Sequence, residues 1–202
     1  MAKLICFEGP DGVGKTTQAK ILEDILLNKE YKVKYYKLPS KTFFGNLVYK
    51  YLKNGIARKY PNYFQLINFF DKSLFYIRHL LFSKYDYILL DRWKLSSLVY
   101  GESDNGKKWF LKFLYNITKT PDLTLIFFGN NFLDKREEKD DYEKDTEFNE
   151  KIKNLYLLYG YTQKKCLFVS ANDTLDNISS NIESLFYQNF INNTEKNNGR
   201  AI

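Results

Sequence analysis

The chain has 202 residues, of which 44% are hydrophobic, and its formal net charge is +7 at pH 7. This length and composition predict one folded domain with a sizeable core. The two cysteines, Cys6 and Cys166, stand outside any C-x-x-C spacing, which argues against a disulfide framework or a zinc site. The sequence has no signal-peptide pattern and no apolar run of about eighteen residues, so we expect a soluble protein of the cytoplasm.

The positive charge comes mostly from lysines that are spread along the whole chain. Nucleic-acid-binding proteins typically concentrate such charge in one run or stripe. We therefore expect no nucleic-acid partner, although a modest positive field helps to attract polyphosphate ligands.

Strands and helices alternate along the sequence. Five strands are predicted, at residues 4–7, 31–38, 85–91, 123–128 and 166–169. Helices are predicted at residues 15–28, 44–52, 62–82, 95–100 and 107–118, around residues 148–159, and at residues 174–190. This alternation predicts a single three-layer α/β domain over residues 1–190, with a five-stranded parallel sheet and helices on both faces. We expect the asparagine-rich residues 191–202 to be disordered.

The helix predicted at residues 62–82 carries an apolar stripe, which we interpret chiefly as core. Its members recur at three- and four-residue steps and are Phe64, Ile67, Phe70, Leu74, Ile77 and Leu81. The single histidine, His79, lies on the same helix. It is far from any motif, so we expect it to be structural or exposed. Residues 56–61, before this helix, and residues 101–106, after the helix predicted at 95–100, are predicted to be polar connections.

A glycine-rich stretch follows the first predicted strand. Gly9, Gly14, Lys15 and Thr16 fit G-x-x-x-x-G-K-[ST], and the required helix follows them. In such a loop the backbone N–H groups turn inward to bind phosphates, at the positive end of a helix. The alternative is a turn that matches by chance. The sequence thus predicts a P-loop that binds ATP through Gly9, Pro10, Asp11, Gly12, Val13, Gly14, Lys15, Thr16 and Thr17.

The P-loop predicts where a metal ion binds. Lys15 would reach the β- and γ-phosphates of ATP, and the Thr16 hydroxyl would ligate Mg²⁺. Asp91 follows three apolar residues at the end of the third predicted strand. Ligands of parallel sheets bind at the carboxyl ends of the strands, so Asp91 would support the same Mg²⁺. A single acidic residue at a strand end is common, so the metal-binding role of Asp91 is supported by its pairing with the P-loop. The neighbouring Arg92 offers a planar fork suited to a phosphate.

Two segments carry a resemblance to a known family. They are the P-loop, in which Glu8, Asp11 and Gln18 accompany the glycines, and the block D-R-W-K-L-S-S at residues 91–97. Both resemble thymidylate kinases, and looser matches extend over most of the chain. The resemblance implies a transferase of nucleotide biosynthesis that moves the γ-phosphate of ATP to deoxythymidine monophosphate (dTMP), giving dTDP. It also implies Mg²⁺ as cofactor, a mobile lid and a homodimer.

The resemblance implies roles on the acceptor side. Asp11 would contact the 3′-hydroxyl of the sugar, and Arg92 would bind the phosphate of the acceptor. Ser96 and Ser97 would lie beside the base. Tyr100 would lie beneath the sugar and exclude a 2′-hydroxyl; the less favoured alternative is that this residue, one of seventeen tyrosines, packs in the core.

The charged residues 131–142 read, by themselves, as a solvated loop. The resemblance implies that they form the lid, with Arg136 near the adenine and phosphates of ATP and Lys139 as a second lid cation. Where glycine follows the P-loop aspartate, as Gly12 does, the family usually carries catalytic arginines in the lid. The implied catalytic residues are therefore Lys15, Arg92, Asp11 and Arg136.

Several positions depart from the family pattern. Asn68 stands where a phenylalanine normally stacks on the base, and Lys72 stands where an arginine is usual. Phe69 could replace the stacking ring after a small shift. After Pro39 the usual arginine is missing, and Lys41 could bind the phosphate instead. These departures leave open a kinase for another deoxynucleoside monophosphate, such as dUMP, or a kinase that has lost activity.

A function of a different class is a nucleotide-dependent switch or a nucleic-acid-binding protein without kinase activity. A guanine-specific switch needs an Asn-Lys-x-Asp motif after a strand, and a nucleic-acid-binding protein needs a basic stripe. The sequence contains neither, so the kinase is the preferred interpretation.

Overall fold

A computed structural model of the chain describes residues 2–129 and 145–191. Its sheet consists of β1 (Lys3–Glu8), β2 (Val33–Lys37), β3 (Tyr87–Asp91), β4 (Leu123–Phe128) and β5 (Cys166–Ser170). All neighbouring strands are parallel, in the order β2-β3-β1-β4-β5. The predicted five-stranded parallel sheet is confirmed. The predicted lid, residues 131–142, and residues 192–202 of the predicted tail lie outside the described residues.

Helices connect the strands in the alternation that the sequence predicts. They are α1 (Lys15–Asn28), α2 (Phe43–Lys53), α3 (Ile56–Lys59), α4 (Pro61–Phe75), α5 (Lys94–Ser103), α6 (Lys108–Ile117), α7 (Thr146–Tyr161) and α8 (Leu175–Phe190). Local signals start several of them. Pro61 opens α4, and the side chains of Asp145 and Thr174 cap α7 and α8 by accepting hydrogen bonds from backbone amides. In the described residues, no helix is long and apolar enough to cross a membrane.

Successive side chains of a strand point to opposite faces of the sheet, so the two faces bury alternate residues of each strand. The face under α1 and α8 contains Ile5, Phe7, Leu89, Leu125, Phe127, Ala19, Leu22, Leu26, Ile178, Ile182 and Phe186. The opposite face, under α4, α5 and α7, contains Leu4, Cys6, Ile88, Leu90, Ile126, Phe75, Trp93, Leu95, Val99, Ile152 and Tyr156. Because both faces are covered, β1 and β3 are apolar along almost their whole length. The three-layer architecture is therefore confirmed.

Three predicted boundaries were wrong. Part of the connection predicted at residues 56–61 forms α3, because Ala57 packs with Val48 and Phe64 in a small cluster between α2, α3 and α4. The helix predicted at 62–82 is interrupted: α4 ends at Phe75, and a π-helical turn follows at Tyr76–Leu80. Residues 101–103 of the loop predicted at 101–106 belong to α5, since burial of that segment overrides the low helix propensity of Gly and Ser.

The apolar stripe of α4 is only partly core. Phe64 and Ile67 are buried, but Phe70 is 45% exposed and Ile77 is 55% exposed. Ile77 lies in the π-helical turn, whose wider winding changes which residues face the sheet. His79 packs between aromatic rings, with its ring centroid 4.8 Å from Tyr36 and 4.9 Å from Phe75.

Candidate active site

The P-loop connects β1 to α1 at the carboxyl edge of the sheet. Gly9 has a φ of +138°. A Cβ at that position would lie 2.6 Å from the carbonyl oxygen of Phe127 in β4, so no larger residue fits. Gly14 precedes α1 with a φ of +85° and provides no side-chain cap. The first N–H groups of α1 are therefore available to a ligand, which is the arrangement that binds phosphate.

Lys15 lies across this loop. Its Nζ donates a hydrogen bond to the carbonyl oxygen of Pro10, and the side chain is buried. Burial and the nearby Arg92 charge together lower the pKa of Lys15 to about 7, against the opposing effect of Asp11 and Asp91. An anionic phosphate bound in the loop favours the charged form of Lys15, because it supplies a nearby negative charge.

The P-loop borders a cavity of about 520 Å³, which is within the usual range for a ligand pocket. The lining residues come from the P-loop, the start of α1, the ends of β2 and β3, the loop before α8 and the first turn of α8. They are Asp11, Gly12, Val13, Gly14, Lys15, Thr16, Thr17, Gln18, Lys37, Asp91, Arg92, Asp173, Thr174, Leu175 and Ile178. The structure thus brings together the predicted ATP-binding residues from 11 to 17 with Asp91 and Arg92.

The predicted metal site pairs Thr16 with Asp91. The Thr16 hydroxyl donates to Asp91 Oδ2, which also accepts from the Tyr35 hydroxyl at 3.3 Å. The Asp91 side chain is 1% exposed, and its Oδ1 atom has no hydrogen-bond partner among the described residues. A buried carboxylate oxygen without a partner is costly, and a metal-bound water can satisfy it. These residues therefore fit a hard divalent cation such as Mg²⁺.

Across the described ranges, no group of three or more His, Cys, Asp or Glu residues could hold a metal by itself. This agrees with the mode in which Mg²⁺ usually binds beside a nucleotide. There it keeps several waters and takes only one or two protein ligands plus phosphate oxygens.

A second polar cluster stands at the mouth of the cavity. Arg92 Nη2 donates to Asp11 Oδ1, and the Tyr100 hydroxyl donates to Asp11 Oδ2 at 2.8 Å. The Arg92 guanidinium lies over the Tyr100 ring, 5.1 Å from its centroid. Partial burial raises the pKa of Asp11, but the charges of Arg92 and Lys15 outweigh this effect and lower it below its usual value. Asp11 therefore stays ionised and fixes the orientation of the arginine.

Arg92 is held in an unusual backbone conformation, with a φ of +71°. Its amide donates to the carbonyl oxygen of Phe7 at 3.0 Å. On its other side, the amide of Trp93 donates to Glu8 Oε1 at 2.9 Å, and the Ser96 hydroxyl donates to Glu8 Oε2. Burial raises the pKa of Glu8. The buried Glu8 therefore ties the end of β1 to the start of α5 and fixes the segment that carries Arg92.

The residues predicted to meet the base divide into two groups. Ser97 faces α4, where Asn68 Nδ2 donates to its hydroxyl at 3.0 Å and Lys72 Nζ also donates to it. Lys72 donates to Asn68 Oδ1 at 2.9 Å as well. Ser96 points away from this cluster, toward Glu8 and the Tyr156 hydroxyl at 2.9 Å.

The Lys72 ammonium belongs to a buried polar cluster. The side chain is 4% exposed, and burial lowers its pKa to about 8, partly opposed by Glu8 and Asp71. A small cavity adjoins this cluster and is lined by Gln65, Phe69, Lys72 and Ser97 among others. The Phe69 ring thus lies next to the polar group in which Asn68 takes part.

The loop that contains Pro39 is fixed by Asp71 of α4, which is fully buried. Asp71 accepts hydrogen bonds from the Ser40 amide at 2.9 Å, from the Ser40 hydroxyl and from Thr42 Oγ1 at 2.9 Å. A Cβ on Gly45 would lie 1.9 Å from the Ser40 carbonyl oxygen, so the start of α2 passes this loop closely. The Leu38–Pro39 peptide bond is cis, and Lys41 is exposed.

The roles of three residues were missed in the sequence. Lys37 lines the cavity at the end of β2, Glu8 fixes the start of α5, and Asp71 fixes the Pro39 loop. For Lys37 a signal existed, because parallel neighbouring strands bring their carboxyl ends together. For Asp71 the only signal was an acidic residue in an apolar segment, whereas Glu8 was named among the residues that carry the resemblance but was given no role. Arg136 and Lys139, predicted as lid residues, lie outside the described part of the chain.

Comparison with known proteins identifies the family of this chain. A family model described as thymidylate kinase matches residues 7–182. The thymidylate kinase of Thermosipho melanesiensis is 28% identical over 193 residues, covering 90% of this chain and 96% of that one. A probable thymidylate kinase of Methanococcus maripaludis is 30% identical over 191 residues, covering 92% of each chain. The fold matches a thymidylate kinase structure from Candida albicans with a TM-score of 0.71 and 23% identity, over 93% of this chain and 92% of that one. The chain therefore belongs to the thymidylate kinase family.

Proposed function

We propose that this protein transfers the γ-phosphate of ATP to dTMP and releases dTDP and ADP. The observation that carries the proposal is that Lys15 of the P-loop and the Arg92–Asp11 pair line the same cavity. Lys15 suits the phosphates of the donor, and Arg92 suits the phosphate of the acceptor. Phosphoryl transfer requires little beyond this positioning and charge stabilisation.

In this mechanism an oxygen of the acceptor phosphate attacks the γ-phosphorus in line, and the bond to the β-phosphate oxygen breaks. No general base is needed, because a phosphate monoester has a second pKa of about 6 and is largely a dianion at neutral pH. Lys15 and the amides of the P-loop stabilise the charge on the donor, and Arg92 neutralises the acceptor as it approaches. Thr16 and Asp91 would hold Mg²⁺, which would supply positive charge to neutralise the phosphates of the donor.

The acceptor nucleoside would lie between α4 and α5. Asp11 would accept a hydrogen bond from the 3′-hydroxyl, and the Tyr100 ring would leave no room for a 2′-hydroxyl. Asn68, Lys72 and Ser97 form one hydrogen-bonded group that can present donors to the base. Phe69 lines the adjoining cavity and could provide an apolar surface for the base. Pro39 and Lys41 at the acceptor, and Arg136 and Lys139 in a lid, stay predictions, as does a cytoplasmic location.

A homodimer is also part of the proposal. Helix α6 exposes Trp109, Phe113 and Ile117, by 70%, 55% and 52%, and their four-residue spacing puts them on one helix face. An exposed apolar stripe of this kind favours burial against another surface, here a second copy of the chain. Sedimentation equilibrium is expected to give a dimer, and a monomer at all concentrations would contradict it.

A coupled assay of ADP formation, with chromatography of the products, tests the function. ATP and Mg²⁺ are supplied with dTMP, dUMP, UMP, dAMP or dGMP, and ATP alone is the control. We expect dTDP from dTMP at the highest rate, less product from dUMP and none from UMP. Turnover of dUMP without turnover of dTMP would reject the substrate, and ATP hydrolysis without any diphosphate product would reject the kinase.

A further inference from the structure

Lys37 contacts both residues that fit the metal. It is the last residue of β2 and is in register with Asp91 of β3. Its Nζ donates a hydrogen bond to Thr16 Oγ1 at 3.5 Å and lies 3.9 Å from Asp91 Oδ2. The Lys37 ammonium is therefore close to the position that a metal ion bound to Thr16 would occupy.

The contact with Thr16 involves the atom that a metal needs. A threonine hydroxyl has one proton and two lone pairs. In the structure the proton is donated to Asp91, and the oxygen accepts from Lys37. A metal ion coordinated to the same oxygen must use a lone pair as well, and it brings a second positive charge within a few ångströms of the ammonium. The second lone pair could still serve the metal, so simultaneous occupation is unfavourable because of the repulsion between the two positive charges.

Burial distinguishes Lys37 from Lys15. Lys15 is 5% exposed and is fixed over the P-loop, whereas the Lys37 side chain is 51% exposed. A half-exposed lysine can move its ammonium into solvent or toward a bound phosphate at little cost, because the charge stays hydrated. Asp91 is 1% exposed and cannot move into water in this way. The mobile partner of the pair is therefore the lysine.

We propose that Lys37 occupies the metal position in the nucleotide-free enzyme, competes there with Mg²⁺ for Thr16 and Asp91, and withdraws when Mg²⁺ enters with the nucleotide. The inference rests on the proposed function, because it takes the cavity to be a site for Mg²⁺ and ATP. Lys37 keeps the buried Asp91 charge compensated while the site is empty. It also makes the free protein a poor binder of bare divalent cations, so that the metal enters with the phosphates.

Binding of Mn²⁺, a paramagnetic substitute for Mg²⁺, tests the competition without any turnover. The nucleotide-free wild type is compared with Lys37→Met and Lys37→Arg by the electron paramagnetic resonance signal of free Mn²⁺. Lys34→Met is the matched control, since Lys34 is an exposed lysine on the same strand. We expect Lys37→Met to bind Mn²⁺ about threefold to fivefold more tightly, and Lys34→Met and Lys37→Arg to change it by less than about twofold. Equal or weaker Mn²⁺ binding by Lys37→Met overturns the proposal.

ADP binding provides a second readout. Its dissociation constant is measured by calorimetry for the same four proteins, with excess Mg²⁺ or with a chelator. Without metal the Lys37 ammonium is available to the phosphates, so Lys37→Met should weaken ADP binding with chelator by about threefold and leave binding with Mg²⁺ nearly unchanged. An equal change under both conditions contradicts the competition. Failure of the wild type to phosphorylate any monophosphate rejects the proposed function instead, and the Mn²⁺ comparison still stands by itself.

Discussion

The proposed donor and acceptor sites are built in different ways. The donor side consists mainly of backbone, because a short glycine-rich loop and the first turn of α1 present N–H groups, with Lys15 as the one fixed cation from that segment. The acceptor side consists of side chains from distant parts of the chain. Asp11, Arg92 and Tyr100 meet at the cavity mouth, and Asn68, Lys72 and Ser97 meet between α4 and α5.

This difference has a physical consequence for how each side responds to substitution. A backbone cradle depends on glycines and on a helix terminus, so most side-chain changes leave it in place. A network of hydrogen-bonded side chains is coupled, and losing one member leaves its buried partners unsatisfied. Substitutions on the donor side should therefore act on charge alone, whereas those on the acceptor side should also disturb geometry. Of the three following predictions, given in order of decreasing effect, the first two test that contrast and the third concerns stability.

Lys15→Met is expected to cause the largest loss. It removes the cation over the P-loop but leaves the amides, so kcat/KM for dTMP should fall by about 10²- to 10³-fold while the fold is retained. Lys20→Met, an exposed lysine on the same helix, is the control and should leave kcat/KM unchanged. Steady-state kinetics with thermal unfolding measures both. A loss below about tenfold would remove Lys15 from the donor side.

Arg92→Lys should follow, with a fall in kcat/KM of about 10- to 100-fold. The charge is kept, but lysine lacks the planar fork that donates to Asp11 and stacks on Tyr100, so the orientation of the cation is lost. The matched control is Arg78→Lys, at an exposed arginine in the π-helical turn. Kinetics at varied dTMP concentration checks the result. Unchanged turnover in Arg92→Lys would show that charge alone suffices on the acceptor side.

Asp104→Asn should have the smallest effect, on stability. Asp104 directly follows α5, and its burial raises its pKa to about 6, outweighing Arg58 and Lys151. A raised folded-state pKa means that the fold prefers the protonated acid. Protonated Asp104 therefore adds to the unfolding free energy below about pH 4, and this stabilisation is lost as the pH rises through about 6. Between pH 5 and pH 7.5 the wild type should lose about 1 kcal/mol more unfolding free energy than the variant. Denaturant titrations at both pH values measure this, and identical pH profiles would contradict it.

The donor side could be predicted from the sequence because its information is local. The P-loop, the strand before it and the helix after it occupy one continuous stretch, and Asp91 and Arg92 follow from the rule that strand ends meet at one edge. Lys37 could have been found by the same rule, but it required the alignment of β2 with β3, and the predicted strand extended one residue beyond Lys37.

The acceptor side required information that the sequence does not display. The resemblance named Asn68, Lys72 and Ser97, but their mutual hydrogen bonds depend on how α4 packs beside α5, and nothing local encodes that angle. The same holds for Glu8, whose role depends on amides and hydroxyls some 85 residues away along the chain. The interruption of α4 after Phe75 was also hidden, because an apolar stripe can pass through a π-helical turn without a break in composition.

The adjacent serines of α5 suggest how base preference could be redesigned. Ser96 contacts Glu8 and Tyr156, while Ser97, one residue later, contacts Lys72 and Asn68. A rotation of α5 would spoil both sets of contacts at once. Substitutions confined to the face shared by Ser97 and α4 leave the anchoring of the helix intact, so an engineer seeking an enzyme for a modified pyrimidine should begin there.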